Sequence, residues 1–206
     1  MGELILKKAK ELFFSYGLKS VSMDDLAKLA GISKKTIYQS FEDKQALVNT
    51  IVDDMINCHH KLFKTCQVGA KDAIDEVLKQ SDEPLDTWTS VNQSFFHELE
   101  KSFPETWAAI EQHKQKVVLP GITKNLVRGI GEGLYREDIE VLFIADIRLH
   151  QLSNVLQPGA FTNKKMSVPQ LINELTAFYL HGITTPKGKG LLNKYLKNRN
   201  ENRSIK

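Results

Sequence analysis

Ser22–Leu47 reads SMDDLAKLAGISKKTIYQSFEDKQAL, and it holds three helix starts and one tight turn in a single short run. Ser22 precedes Met23-Asp24-Asp25-Leu26, so its hydroxyl can cap a helix while Asp25, three residues on, reaches back toward the cap. Gly31 then breaks the apolar pattern. Ser33 can cap a third helix, Lys34–Phe41, and Asp43 a fourth running from Lys44 toward Phe63. Ala27, Gly31 and Ile37 carry the spacing of a helix-turn-helix, which spans residues 22–41. A small residue at 27 lets two helices cross closely, and glycine at 31 suits the left-handed backbone of the turn. That conformation costs a side chain about 1–2 kcal/mol. Ile37 plugs the angle between the helices, helped by Leu26, Ala30, Ile32 and Phe41.

A helical wheel of the third helix separates two faces. Ile37 and Phe41 point inward, while Gln39 and Lys35 lie almost opposite, flanked by Thr36 and Tyr38. The outer face is short, polar and rich in donors, which suits a major groove. Lys34 and the amides near Ser33 form a positive helix end where a phosphate can dock. Lys44 offers a second phosphate contact. Ahead of the motif, Ile5, Ala9, Leu12, Phe13 and Tyr16 recur at helical spacing, and Gly17 is placed to end that first helix.

The stretch Ser22–Leu47 resembles the N-terminal domain of the TetR family of transcriptional regulators, through its AGIS turn, its TIYQSF segment and its DKQAL helix start. The resemblance implies a homodimer bound to double-stranded DNA, a variable C-terminal ligand domain, and repression relieved by a small-molecule effector. By matching position it places Thr36, Tyr38 and Gln39 at the DNA, Lys35 beside them and Lys44 on backbone phosphate; Ser22, Ser33 and Lys34 complete the expected contact set. Many relatives carry glycine where this chain has Lys35, so base preference does not transfer.

Charge is distributed in keeping with that reading. Residues 1–50 hold eight lysines against six acids, residues 51–186 hold 13 bases against 18 acids, and the last twenty hold seven bases against Glu201 alone. A basic head on an acidic body fits an N-terminal part that meets a polyanion. Hydrophobic residues make up 41% of the chain and no apolar run is long enough to span a bilayer, so a soluble protein is expected, with no membrane partner. Met1–Lys10 lacks the pattern of an export signal and there are two cysteines, Cys58 and Cys66; both point to the cytoplasm.

The expected fold is all-α: an N-terminal three-helix helix-turn-helix domain over 1–50, a larger helical ligand-binding and dimerisation domain over 51–186, and a basic tail over 187–206, about nine helices. Helical segments are read near 69–81, 85–101, 104–133, 138–156 and 168–184. Pro84 and Pro104 fit first turns, Pro120-Gly121 should kink the longest segment, Gly133 should end it and Asp138 should start the next. GLYREDI at 133–139 resembles the corresponding loop of the same family more weakly.

Apolar residues are too broadly spread on the last two of these segments for one buried stripe, so they are expected to meet a second copy, with Ile147, Leu152, Leu171, Leu175, Phe178 and Tyr179 at the seam. Trp88, Phe95, Phe96, Trp107, Phe143 and His150 are candidate pocket walls, with His97 and His113 as polar contacts, although aromatic residues at helical spacing more often form plain core. Cys58, His59, His60 and Cys66 cannot converge on one ion from a straight helix, so neither metal nor cofactor is expected. No acid–base pair or nucleophile sits at usable spacing, which argues against an enzyme. The competing reading keeps the DNA-binding head but has the body engage a partner protein in place of a small ligand. The tail from Lys187 is expected as a solvated, partly frayed end.

Overall fold

A computed structural model describes residues 1–82, 91–155, 157, 159, 161 and 166–204, without the side chains of 82, 93, 200 and 202–204. The described residues are helical throughout, apart from turns and one isolated antiparallel bridge between Tyr135 and Thr184. They form two compact units: 1–59 with 91–113, 157, 159 and 161, and 60–82 with 114–155 and 166–204.

In the first unit, α1 (Gly2–Tyr16) buries Ile5, Ala9 and Phe13, a stripe repeating every four residues. Gly17 ends it at φ 84°, with its N–H donating to the Phe13 carbonyl at 2.9 Å. Next come α2 (Met23–Ala30), α3 (Lys34–Ser40) and the start of the long α4 (Lys44–Gly69). The same unit takes in α6 (Gln93–Ser102) and α7 (Pro104–His113). Their residues Phe95, Phe96, Leu99 and Ile110 share one core with Ile5, Phe13, Leu26, Ile37 and Ile51. Phe14 meets Phe95 edge-on, ring centroids 5.3 Å apart. The expected cut at residue 50 therefore falls inside α4, and two later helices complete the N-terminal core. Local periodicity holds no information about such distant partners.

The second unit is built from α5 (Ala73–Asp82), α8 (Leu119–Gly131), α9 (Val141–Asn154), α10 (Val168–Ile183) and α11 (Pro186–Ser204), with the last part of α4. Tyr135, Leu126, Ala145, Leu180 and Leu192 are fully buried at its centre. A capping box of Ser167 and Gln170 is present in full at the start of α10.

Three local expectations change. The long segment 104–133 is α7 and α8 joined by a π-helical turn, Lys114–Val118; its last helical residue is Gly131, and Gly133 closes it as expected, at φ 65° with its N–H on the Ile130 carbonyl at 2.9 Å. Pro120 lacks an N–H and its ring crowds the carbonyl four residues back, so the ladder widens just ahead of it. α9 starts later than expected, capped by Glu140, whose side chain accepts from the Phe143 N–H at 2.8 Å; Asp138 instead pairs with Arg136. Over its described residues the tail is helical and packed. α11 buries Leu192, the Tyr195 hydroxyl donates to Asp72 at 2.6 Å, and Arg199 donates to Ser81 at 3.2 Å. Pro84, Trp88, Leu156 and the stretch 85–90 of the segment expected over 85–101 lie outside the described residues.

Candidate nucleic-acid interface

Two serine caps aim the helix-turn-helix. The Ser22 hydroxyl accepts from the Asp25 N–H at 3.2 Å while the Asp25 carboxylate accepts from the Ser22 N–H at 2.9 Å, closing both ends of a capping box. The Ser22 hydroxyl also donates to that carboxylate at 2.6 Å, and this bond first and the one from the Ser22 N–H second hold the Asp25 carboxyl below its ordinary range. Gly31 then takes φ 65°, ψ 32°, and the Ile32 N–H reaches back to the Ala27 carbonyl at 3.1 Å. Ser33 caps α3 through the Thr36 N–H at 3.1 Å. Ile37 is fully buried beneath α3, and Phe41 ends that helix with its N–H on the Ile37 carbonyl at 2.9 Å.

With Ile37 fixed inward, Lys35, Tyr38 and Gln39 stand exposed and Thr36 half-exposed on the opposite side. The structure therefore brings these four expected residues onto one surface, with Ser33 exposed at its N-terminal end. Lys34 is exposed but paired, its ammonium 3.0 Å from Asp24. Ser22 is exposed and its hydroxyl is engaged with Asp25.

Lys44 departs from expectation. Its ammonium is turned into the domain, donating to the Leu18 carbonyl and, at 2.6 Å, to the Val21 carbonyl, and it lies over the Phe13 ring. Burial pushes its pKa down from the ordinary lysine value. Sequence position cannot tell a phosphate-facing lysine from one that ties the loop before α2 to the start of α4.

The sequence reading also missed α6 as a brace. Glu98 accepts from the Lys19 N–H at 2.7 Å, and Asn92 donates its backbone N–H to the Phe14 carbonyl at 2.8 Å. A β-carbon added to Gly17 would lie 2.9 Å from both Glu98 and Ser94, so glycine is needed there for space as well as for its φ. The bonded residues lie nearly eighty positions apart in sequence, and neither glutamate nor asparagine marks such a role.

Residues 5–51 match the family model described as bacterial regulatory proteins, tetR family. Over these residues the chain is similar to the N-terminal domain of TetR-family regulators. Among TetR-family relatives, the HTH-type transcriptional regulator TtgR of Pseudomonas putida is 28% identical over 141 residues, covering 63% of this chain and 65% of that one. The HTH-type transcriptional repressor KstR2 of Mycolicibacterium smegmatis is 24% identical over 202 residues, covering 89% of this chain and 91% of that protein. A TetR-family regulator from Agrobacterium tumefaciens superposes with a TM-score of 0.72 at 18% identity, over 89% of this chain and 97% of that one, a likeness of fold. The α3 surface thus belongs to a DNA-binding transcriptional regulator.

The residues expected to line an effector pocket are divided between the two units. Phe95 and Phe96 are in the core of the first unit, Trp107 packs against that core, and His97 is exposed. His113 is buried in the same unit, 2.9 Å from the His59 ring nitrogen. Phe143 and His150 are exposed on α9 of the second unit, and Trp88 lies outside the described residues. Of the expected seam, Phe178 is 73% exposed and Ile147 37%, Leu152 and Leu175 are half-buried, and Leu171 and Tyr179 are turned into their own chain. Arg148 was not anticipated. It occupies the inward stripe of α9 with Ala145 and Leu149 on either side, and an arginine on an apolar stripe is a signal that the sequence did hold.

Proposed function

We propose that this protein is a ligand-responsive repressor that binds a near-palindromic operator as a homodimer, acting in the cytoplasm. Each protomer places the outer face of α3 in one major groove, where Thr36, Tyr38 and Gln39 meet base edges and Lys35 lies beside them. The observation that carries this reading is the exposure of those side chains on one surface above the buried Ile37. Repression is supported by KstR2, a repressor matched over most of its length.

A second copy is the partner for the apolar surface of α9 and α10. Leu142, Phe143 and Phe178 are each more than 60% exposed, an unusual load for two helices of a solitary subunit. Effector binding in the second unit favours a dimer whose recognition helices are wrongly spaced for successive grooves. No helix among the described residues is long and apolar enough to cross a membrane.

The test is selection of duplexes from a random pool by the full-length protein, followed by binding at fixed salt. The expected result is a two-fold-related site bound with one dimer and at least about 10³-fold preference over random duplex. Enrichment of no sequence, or of an asymmetric site by a monomer, rejects the proposal.

A further inference from the structure

The seam between α9 and α10 holds a buried cation that no carboxylate pairs among the described residues. Arg148 is 5% exposed. Its Nη2 donates to the Thr176 hydroxyl at 2.7 Å and its guanidinium lies over the Tyr179 ring, 4.8 Å from the centroid. Both partners are neutral. Its Nη1 is screened from solvent and has no hydrogen-bond partner among the described residues; the same holds for the Tyr179 hydroxyl, the Gln151 Oε1 and the Asn173 Oδ1. Four unsatisfied polar groups thus lie on the two helices that meet at this seam.

Arg128, in the same unit, shows what a structural arginine looks like here. It bonds Glu132 at 2.7 Å and the buried Glu76 at 3.1 Å, so its charge is compensated twice. The acids nearest Arg148 along the helices, Asp146 and Glu174, are exposed and form no ion pair with it. Burial lowers the Arg148 pKa to about 10, which leaves the guanidinium charged at neutral pH. An unpaired buried charge is costly, and proteins retain one where a ligand supplies the opposite sign.

We propose that this seam binds the carboxylate of a monoanionic organic effector, with Arg148 Nη1 and the Tyr179 hydroxyl as donors. This deepens the ligand-responsive reading above and rests on it. One uncompensated positive charge calls for one negative charge, and the unpartnered Nη1 of the guanidinium can donate a charge-assisted hydrogen bond to a carboxylate oxygen. Turned about, the amide of Gln151 or Asn173 offers N–H groups to the same anion. The surrounding residues Ala145, Leu149 and Leu180 are apolar and buried, so the rest of the effector is apolar as well. A protein partner docking on the surface cannot supply the anion, because Nη1 is already enclosed by its own chain.

The experiment is a series of thermal melts of the full-length protein with straight-chain monocarboxylates from acetate to dodecanoate at fixed ionic strength, each paired with its primary amide. At least one carboxylate is expected to raise Tm by about 5–10 °C at a hundredfold excess over Kd, with no matching rise from its amide. Arg148→Met should abolish the rise, and without ligand it should melt at or above the wild-type temperature, because it removes an uncompensated charge. If Arg148→Met does not fold, Arg148→Lys, which keeps the charge without the planar fork, should bind about tenfold more weakly. The proposal is overturned if no carboxylate in the series shifts Tm, if amides match their acids, or if the shift survives at full strength in the variant that folds. A carboxylate that binds through Arg148 without changing operator affinity would leave the site standing and remove the effector reading. Operator release by a compound whose binding ignores Arg148 would do the reverse.

Discussion

Lys44 Nζ donates to the Val21 carbonyl at 2.6 Å, and a second bond from the same ammonium runs to the Leu18 carbonyl. The lysine thereby ties the loop that precedes the helix-turn-helix to the start of α4, the two segments between which α2 and α3 are held. Its work in the free protein is to fix the orientation of the motif.

Lys44→Met should therefore act through stability. Two carbonyls lose a charged donor, which costs about 1–3 kcal/mol, and thermal melts should show a clear fall in Tm. At a temperature where both proteins are folded, the salt dependence of operator binding should keep its slope. A slope shallower by about one unit would instead place Lys44 on a phosphate in the complex.

Gln39→Ala addresses sequence preference. Its side chain is exposed on the outer face of α3, and a bidentate contact to one base is worth about 1–3 kcal/mol at that base pair. Binding to a panel of operators changed one position at a time should flatten at one position per half-site and keep its preferences elsewhere. A uniform loss across the panel would show that Gln39 contributes no base readout.

Gly31 tests the turn. At φ 65° a side chain is strained, yet nothing lies within 4 Å of an added β-carbon, so the cost is conformational and not steric. Gly31→Asn should be the mildest change, Gly31→Ala should cost about 1–2 kcal/mol, and Gly31→Val should cost more because its branched carbon tolerates the left-handed region least. Circular-dichroism melts rank the three. An equal loss for Asn and Val would mean that crowding, not φ, governs the position.

Phe178 and Tyr179 separate assembly from folding. Phe178→Glu places a carboxylate on an exposed surface, so the helical content should be unchanged while sedimentation shows a monomer with weakened operator binding. Tyr179→Glu puts the charge in the interior, beside the Arg148 guanidinium, and should change the second unit itself. A Phe178→Glu protein that remains dimeric at micromolar concentration would move the seam off this part of α10.

The sequence by itself determined the helix-turn-helix down to its caps, because each signal there is local. A serine bonds an amide three residues on, a glycine adopts a left-handed turn at the residue itself, and Ile37 is set inward by the period of one short helix. The same holds for the capping box at Ser167 and for the outward set Lys35, Thr36, Tyr38 and Gln39. Tertiary structure decided everything that depends on which distant segment arrives. Phe95 and Phe96 read equally well as pocket wall or core until α6 is seen packed in the N-terminal unit. Lys44 reads as a surface cation until two loop carbonyls turn its ammonium inward. The basic tail reads as solvated until Leu192 and Tyr195 find partners on the second unit. Arg148 is a lone charge on an apolar stripe, and only the packing of α9 on α10 leaves it buried with Thr176 and Tyr179 and with no carboxylate bonded to it among the described residues. Hydrogen-bond caps and helical periods act over a few residues and are written in order along the chain; burial and charge compensation are properties of the whole packed chain.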